Sequence, residues 1–138
     1  MYMKMLRGTV FGGIAFFLLG WLIYGLLMMN FSMANMNQCA NKPMGEMIWW
    51  AMIVSNLISA FLLTLILKWS GAKGIMDSLK IGTIFGLLYA SALDLGFWSM
   101  TIMFNNFWAL IVDVAETTVL WALVGLVIVL LWGKDKTT

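Results

Sequence analysis

The 138-residue sequence contains no histidine, the side chain that most often serves as general base, proton shuttle or metal ligand near neutral pH. Nucleophilic catalysis needs a hydroxyl or thiol beside a base, and no such pair can be assembled without it, so an enzyme is not expected. One cysteine, Cys39, excludes an internal disulfide and leaves the redox compartment unread. The one proline is Pro43, so the apolar stretches on either side lack the residue that most disrupts a helix. Charge is scarce as well: 10% of residues carry it, against about a quarter in a soluble domain.

Hydrophobic residues make up 63% of the chain, which points to lipid as the solvent for most of it. Four apolar runs, at about 8–30, 45–67, 81–104 and 107–132, each reach the length of about 20 residues that spans a hydrocarbon core of about 30 Å. The strands of a bacterial β-barrel would be about ten residues of alternating polarity, and these runs are long and continuous. Helices then satisfy the backbone, and the expected fold is an all-α transmembrane four-helix bundle, a single domain over 1–138. The first run follows Lys4 and Arg7 as a signal peptide would, but it is longer than the usual apolar core of one, and no small-residue cleavage site follows. It is expected to be retained.

Lys4, Arg7, Lys68, Lys73, Lys80, Lys134 and Lys136 fall on one side of this arrangement, and Lys42 alone on the other. Basic residues collect on the cytoplasmic side, so both termini and the central loop are expected inside. The net charge of +2 is then a topology signal and not a nucleic-acid footprint. Trp49, Trp50 and Trp108 near one set of helix ends, with Trp69 and Trp132 near the other, suit the headgroup regions of the same arrangement.

An internal match divides the chain. Gly8-Thr9-Val10-Phe11-Gly12 corresponds to Gly82-Thr83-Ile84-Phe85-Gly86, and Trp50-Ala51-Met52-Ile53-Val54 to Trp108-Ala109-Leu110-Ile111-Val112. Both matches occur at equivalent points of equivalent helices, which suggests a duplicated hairpin, 1–69 and 75–138, related by an axis along the membrane normal. Gly8 with Gly12, and Gly82 with Gly86, form small-residue faces suited to close helix packing.

Three carboxylates fall within the apolar runs: Asp94, Asp113 and Glu116. Each costs about 2.5 to 3.5 kcal/mol at the centre of an inserted helix, so such residues face a bundle interior or a wet cavity. Counted from the run ends, Asp94 lies about 15 Å deep, Glu116 about 13 Å, Asp113 about 8 Å and Asn56 about 16 Å. Helical spacing gathers Thr117 with the acids of the fourth run, Ser55, Asn56 and Ser59 on the second, and Ser91 and Thr101 with Asp94 on the third. No lysine or arginine lies at that depth. The acids must be protonated, hydrated, bound to a cation, or matched by another chain. A proton or cation site with Asn56 and Ser55 as neutral ligands, hydrogen-bonded packing, and a contact with a partner subunit all remain open.

Thirteen methionines include Met29, Met33 and Met36 near Cys39, and thioether and thiolate ligands suit Cu(I). Methionine is equally a flexible apolar filler, so neither a metal nor a cofactor is expected. The loop Trp69-Ser70-Gly71-Ala72-Lys73-Gly74 lacks phosphate-loop spacing and reads as a linker.

The stretch Leu19-Gly20-Trp21-Leu22-Ile23-Tyr24-Gly25 resembles the first helix of a family of small bacterial four-helix membrane proteins of unknown function. The resemblance implies a bacterial inner-membrane location and four spans, and transfers no catalytic residue. The expected function is proton- or cation-coupled transport by a homodimer packed through the small-residue faces. The competing expectation is an accessory subunit of a larger membrane complex.

Overall fold

The computed structural model describes residues 2–133. Lys134 and Lys136, which entered the charge count above, lie outside the described residues. Helix α1 covers Tyr2–Gly20 and continues as a wider π-helical segment, Trp21–Leu27; α2 covers Met29–Asn35, α3 Trp49–Trp69, α4 Ile75–Met100 and α5 Phe107–Leu131. Four helical stretches, Tyr2–Leu27, α3, α4 and α5, are long and apolar enough to cross a membrane. The only β-type pairing among the described residues is an isolated bridge between Met36 and Phe104.

The boundaries follow local chemistry. Gly71 ends α3 with φ +73°, donating to the Lys68 carbonyl while the Ala72 N–H donates to that of Leu67. This closing motif satisfies carbonyls that the helix end would orphan, at a backbone angle that suits glycine. Asp77, in the first turn of α4, accepts from the Lys73 N–H at 3.1 Å, and an acid there also suits the positive end of the helix dipole. The Asn106 side chain caps α5 by accepting from the Ala109 N–H at 2.8 Å.

Several boundaries differ from the sequence reading: the first helix begins at Tyr2 and not at 8, α3 at Trp49 and not at 45, and α4 at Ile75 and not at 81. Helix α4 stops at Met100, not at 104, because Thr101 turns extended and its hydroxyl donates back to the Phe97 carbonyl at 2.7 Å. Residues 101–106 then dock on the first loop. Asn37 N–H donates to the Met103 carbonyl at 2.8 Å, Asn105 N–H to the Asn35 carbonyl at 2.9 Å, and the Asn106 amide to Asn35 Oδ1 at 3.1 Å. The first loop is built from α2 and short 3-10 turns at Gln38–Ala40 and Met44–Glu46.

The most extensive packing joins α4 to α5, then α1 to α3, with α1 against α5 linking the pairs. The glycines make these approaches possible. A Cβ on Gly8 would lie 2.5 Å from Thr64 Cγ2 and one on Gly12 2.8 Å from Ile128 Cδ1. On Gly82 it would lie 2.8 Å from the Trp121 carbonyl oxygen, and on Gly86 2.8 Å from Trp121 Cβ. All four are buried within the chain, so they leave no small-residue face for a second copy.

The core has two parts. Ala15, Phe16, Ala60, Leu63, Leu67, Leu120, Trp121, Val124, Ile128 and Trp132 fill the half toward the end that carries Lys4, Arg7 and Lys68, called here the basic end. That end also brings the start of α1 against the end of α5: Lys4 Nζ sits 4.6 Å from the centre of the Trp132 ring. A smaller cluster of Ala90, Phe104, Ala109, Leu110 and Val114 fills the far end, with Phe31, Met36 and Met103 against it.

Candidate functional site

The acids occupy the level between these two clusters. Asp94 follows Ala90 by one turn of α4, while Asp113 and Glu116 lie on α5 between Leu110 and Leu120. Because α4 ends at Met100, Asp94 is about 9 Å from the far end of its helix, and Asp113 is about 9 Å from the start of α5. The two are therefore level, and their carboxyl groups come within hydrogen-bonding reach of each other. Asp94 was expected to share its layer with Glu116. The earlier helix end moves its nearest partner to Asp113.

A hydrogen bond between two carboxyl groups needs a proton on one of them, since an ionised carboxylate only accepts. Asp94 is 6% exposed and Glu116 9%, whereas Asp113 is half-buried. The second oxygens, Asp94 Oδ2 and Glu116 Oε2, are buried without a hydrogen-bond partner. Orphaned polar atoms of this kind are uncommon and costly, and mark places where a proton, water or ligand belongs.

Tyr24 completes the group. Its hydroxyl is 2.6 Å from Thr117 Oγ1, and Asp113, Glu116 and Asp94 all lie close enough to act on it electrostatically. The sequence reading placed Tyr24 only in the stretch that carries the family resemblance. It sits inside the π-helical segment, where the Met28 N–H donates to the Ile23 carbonyl at 2.9 Å. Such segments are rare and occur often at functional sites. The available sequence signal was the pair of flanking glycines, Gly20 and Gly25, around an aromatic pair that no apolar packing pattern requires.

Below this group, one turn from Thr117 toward the basic end, Trp121 is enclosed by aromatic rings. Phe16, Phe85 and Tyr89 stand with centroids 4.9, 5.0 and 5.3 Å from it. This layer separates the acids from the basic end with apolar contacts.

The other predicted site residues lie elsewhere. Asn56 borders a groove between α1 and α3 that none of the acids lines, and Ser55 is exposed on α3. Depth along a helix does not specify direction around it, and α3 meets α4 and α5 mainly through its half near the basic end. Met29 and Met33 are exposed on α2, Met36 packs on the far-end cluster, and Cys39 is exposed with its N–H donating to Asn37 Oδ1 at 2.9 Å. These four residues are divided between surface and packing.

The arrangement defines a class: an all-helical chain with four helices long and apolar enough to cross a membrane, holding acids at their interface. No protein-family profile matches the chain, nor does any curated protein or solved structure.

Proposed function

We propose that this chain crosses a membrane four times and moves protons through the carboxyl group built by Asp94, Asp113 and Glu116. One observation carries the reading: Asp94 Oδ2 and Glu116 Oε2 are buried and unpartnered at a level where the sequence offers no base. Neutral carboxyl groups are the cheapest state of acids so placed, and groups that must gain and lose a proton to change state suit proton transfer. The Asp94 and Asp113 carboxyls provide a shared-proton pair, with the hydrogen-bonded Tyr24 and Thr117 hydroxyls beside the acids. The charge distribution supports a bacterial inner-membrane topology with both termini in the cytoplasm. In that orientation half-buried Asp113 is the approach from the outer side, and the aromatic layer at Trp121 separates the acids from the inner side. The matched Gly8–Gly12 and Gly82–Gly86 segments, each buried at a close helix contact, support duplication of a hairpin. No enzymatic step and no cofactor is proposed.

The test is proton flux in liposomes under an imposed potential, read by an internal pH dye. Asp94→Asn combined with Glu116→Gln is expected to abolish flux while leaving the helix content unchanged. Flux equal to that of the unmodified protein would refute the site. The unpartnered carboxyl oxygens also favour a second reading, an accessory subunit whose acids meet groups of another chain. Stoichiometric co-purification of a second membrane protein, lost on Asp113→Asn or Glu116→Gln, would favour it.

A further inference from the structure

Helix α3 carries a packing stripe that the chain covers only in part. Ala60, Leu63 and Leu67, spaced three and four apart, are fully buried. The same spacing continues four residues back to Asn56 and three more to Ile53, yet none of residues 49–59 is buried and Ile53 is 50% exposed. Apart from the contact of Leu57 with Gly13, the bundle closes on α3 toward the basic end, where Leu63 faces Gly125 and Thr64 faces Gly8.

Beside the uncovered part runs a groove of about 230 Å³, lined by Gly13, Ile14, Phe17 and Leu18 of α1 and by Ile53, Asn56 and Leu57 of α3. Its lining is apolar except for Asn56. The Asn56 amide makes no hydrogen bond among the described residues, and it lies about 10 Å along a helix that is long and apolar enough to span a membrane. Lipid tails satisfy Ile53 and Leu57 but offer nothing to an amide, which carries two donors and an acceptor.

We propose that a second copy of this chain docks here, with α3 crossing α3 so that the two Asn56 amides pair across a two-fold axis and each Ile53 enters the other copy's groove. An amide is its own complement: each donates to the carbonyl of the other, which a two-fold arrangement provides automatically. Polar side chains of this type join helices in membranes. The proposal rests on the reading that the chain spans a membrane and is independent of proton transfer.

The experiment uses the full chain in lipid vesicles with Cys39→Ser. Energy transfer between labelled copies reports dimerisation, and disulfide trapping of Ile53→Cys reports the face. Copies are expected to associate, Ile53→Cys to cross-link, and Leu88→Cys on exposed α4 to cross-link no faster than random collision. Asn56→Leu should weaken association about 5- to 30-fold, and Asn56→Gln, which keeps the amide, should retain it. Helix content and thermal midpoint, measured on each variant, show that it folds. Equal association of Asn56→Leu and the parent, a monomeric parent, or capture of a different membrane protein in an Asn56-dependent manner would overturn the proposal. Proton flux measured on the same vesicles separates the two readings, because Asp94→Asn is expected to dimerise normally.

Discussion

Replacing single glycines with alanine tests how closely the helices pack. In an ordinary helix that change stabilises by about 0.5–1 kcal/mol, because alanine is the better helix former. Gly96 is such a position, with nothing within 4 Å of an added Cβ. At Gly8 the same atom would stand 2.5 Å from Thr64 Cγ2 and 2.7 Å from Thr64 Oγ1, distances that real Cβ atoms do not adopt. Overpacking costs about 1–3 kcal/mol, so Gly8→Ala is expected to lose about 1–2 kcal/mol after the propensity gain. The third neighbour, Ile128 Cγ2 at 3.2 Å, has to give by only a few tenths of an ångström, and both atoms nearer than 3.0 Å belong to one side chain. Thr64→Ala removes them, and the hydrogen bond it forfeits, Thr64 Oγ1 to the Ala60 carbonyl, is a local back-bond on its own helix. The double variant should therefore recover, with a coupling of about 1–2 kcal/mol. Gly82 differs because its neighbours are backbone: the Trp121 carbonyl oxygen at 2.8 Å and Ala122 Cα at 3.0 Å. Gly82→Ala should lose about 1–3 kcal/mol, and no side-chain truncation on α5 should restore it. Reversible unfolding in mixed micelles, followed by tryptophan fluorescence and circular dichroism, measures all of these. The reasoning fails if Gly82→Ala is as stable as Gly96→Ala, or if Thr64→Ala does not rescue Gly8→Ala.

Two further predictions concern the carboxyl group. Tyr24→Phe and Thr117→Val should each cost about 0.5–1.5 kcal/mol in the same unfolding assay, and together little more than either, since both remove one hydrogen bond; fully additive losses would count against that bond. A lipid-soluble carbodiimide, which attacks protonated carboxyl groups, should label Asp94, Asp113 or Glu116 in intact vesicles. Peptide mass spectrometry reads the result, and labelling confined to Glu46 and Asp77, both exposed, would contradict the neutral state proposed for the buried acids.

The helical class and the approximate placement of the four long helices were legible in the sequence, because crossing lipid imposes a length and a continuous apolarity on each segment. The three acids were legible for the same reason: a carboxylate within an apolar run stands out wherever its helix turns. Their pairing was not. A difference of four residues in where α4 ends moved Asp94 level with Asp113, and that end depends on the 101–106 turn docking on Asn35, Met36 and Asn37 from a distant part of the chain. Tyr24 reached the acids through a π-helical widening that no periodicity announces. Asn56, which depth alone grouped with the acids, faces a different groove because α3 is covered mainly toward the basic end. Composition and hydrophobic length act on each helix separately, so they were enough to give the number of long helices and the positions of their acids. Which face of each helix meets which neighbour depends on interhelical packing at Gly8, Gly12, Gly82 and Gly86, where segments distant in the chain come together, and no single helix carries that information.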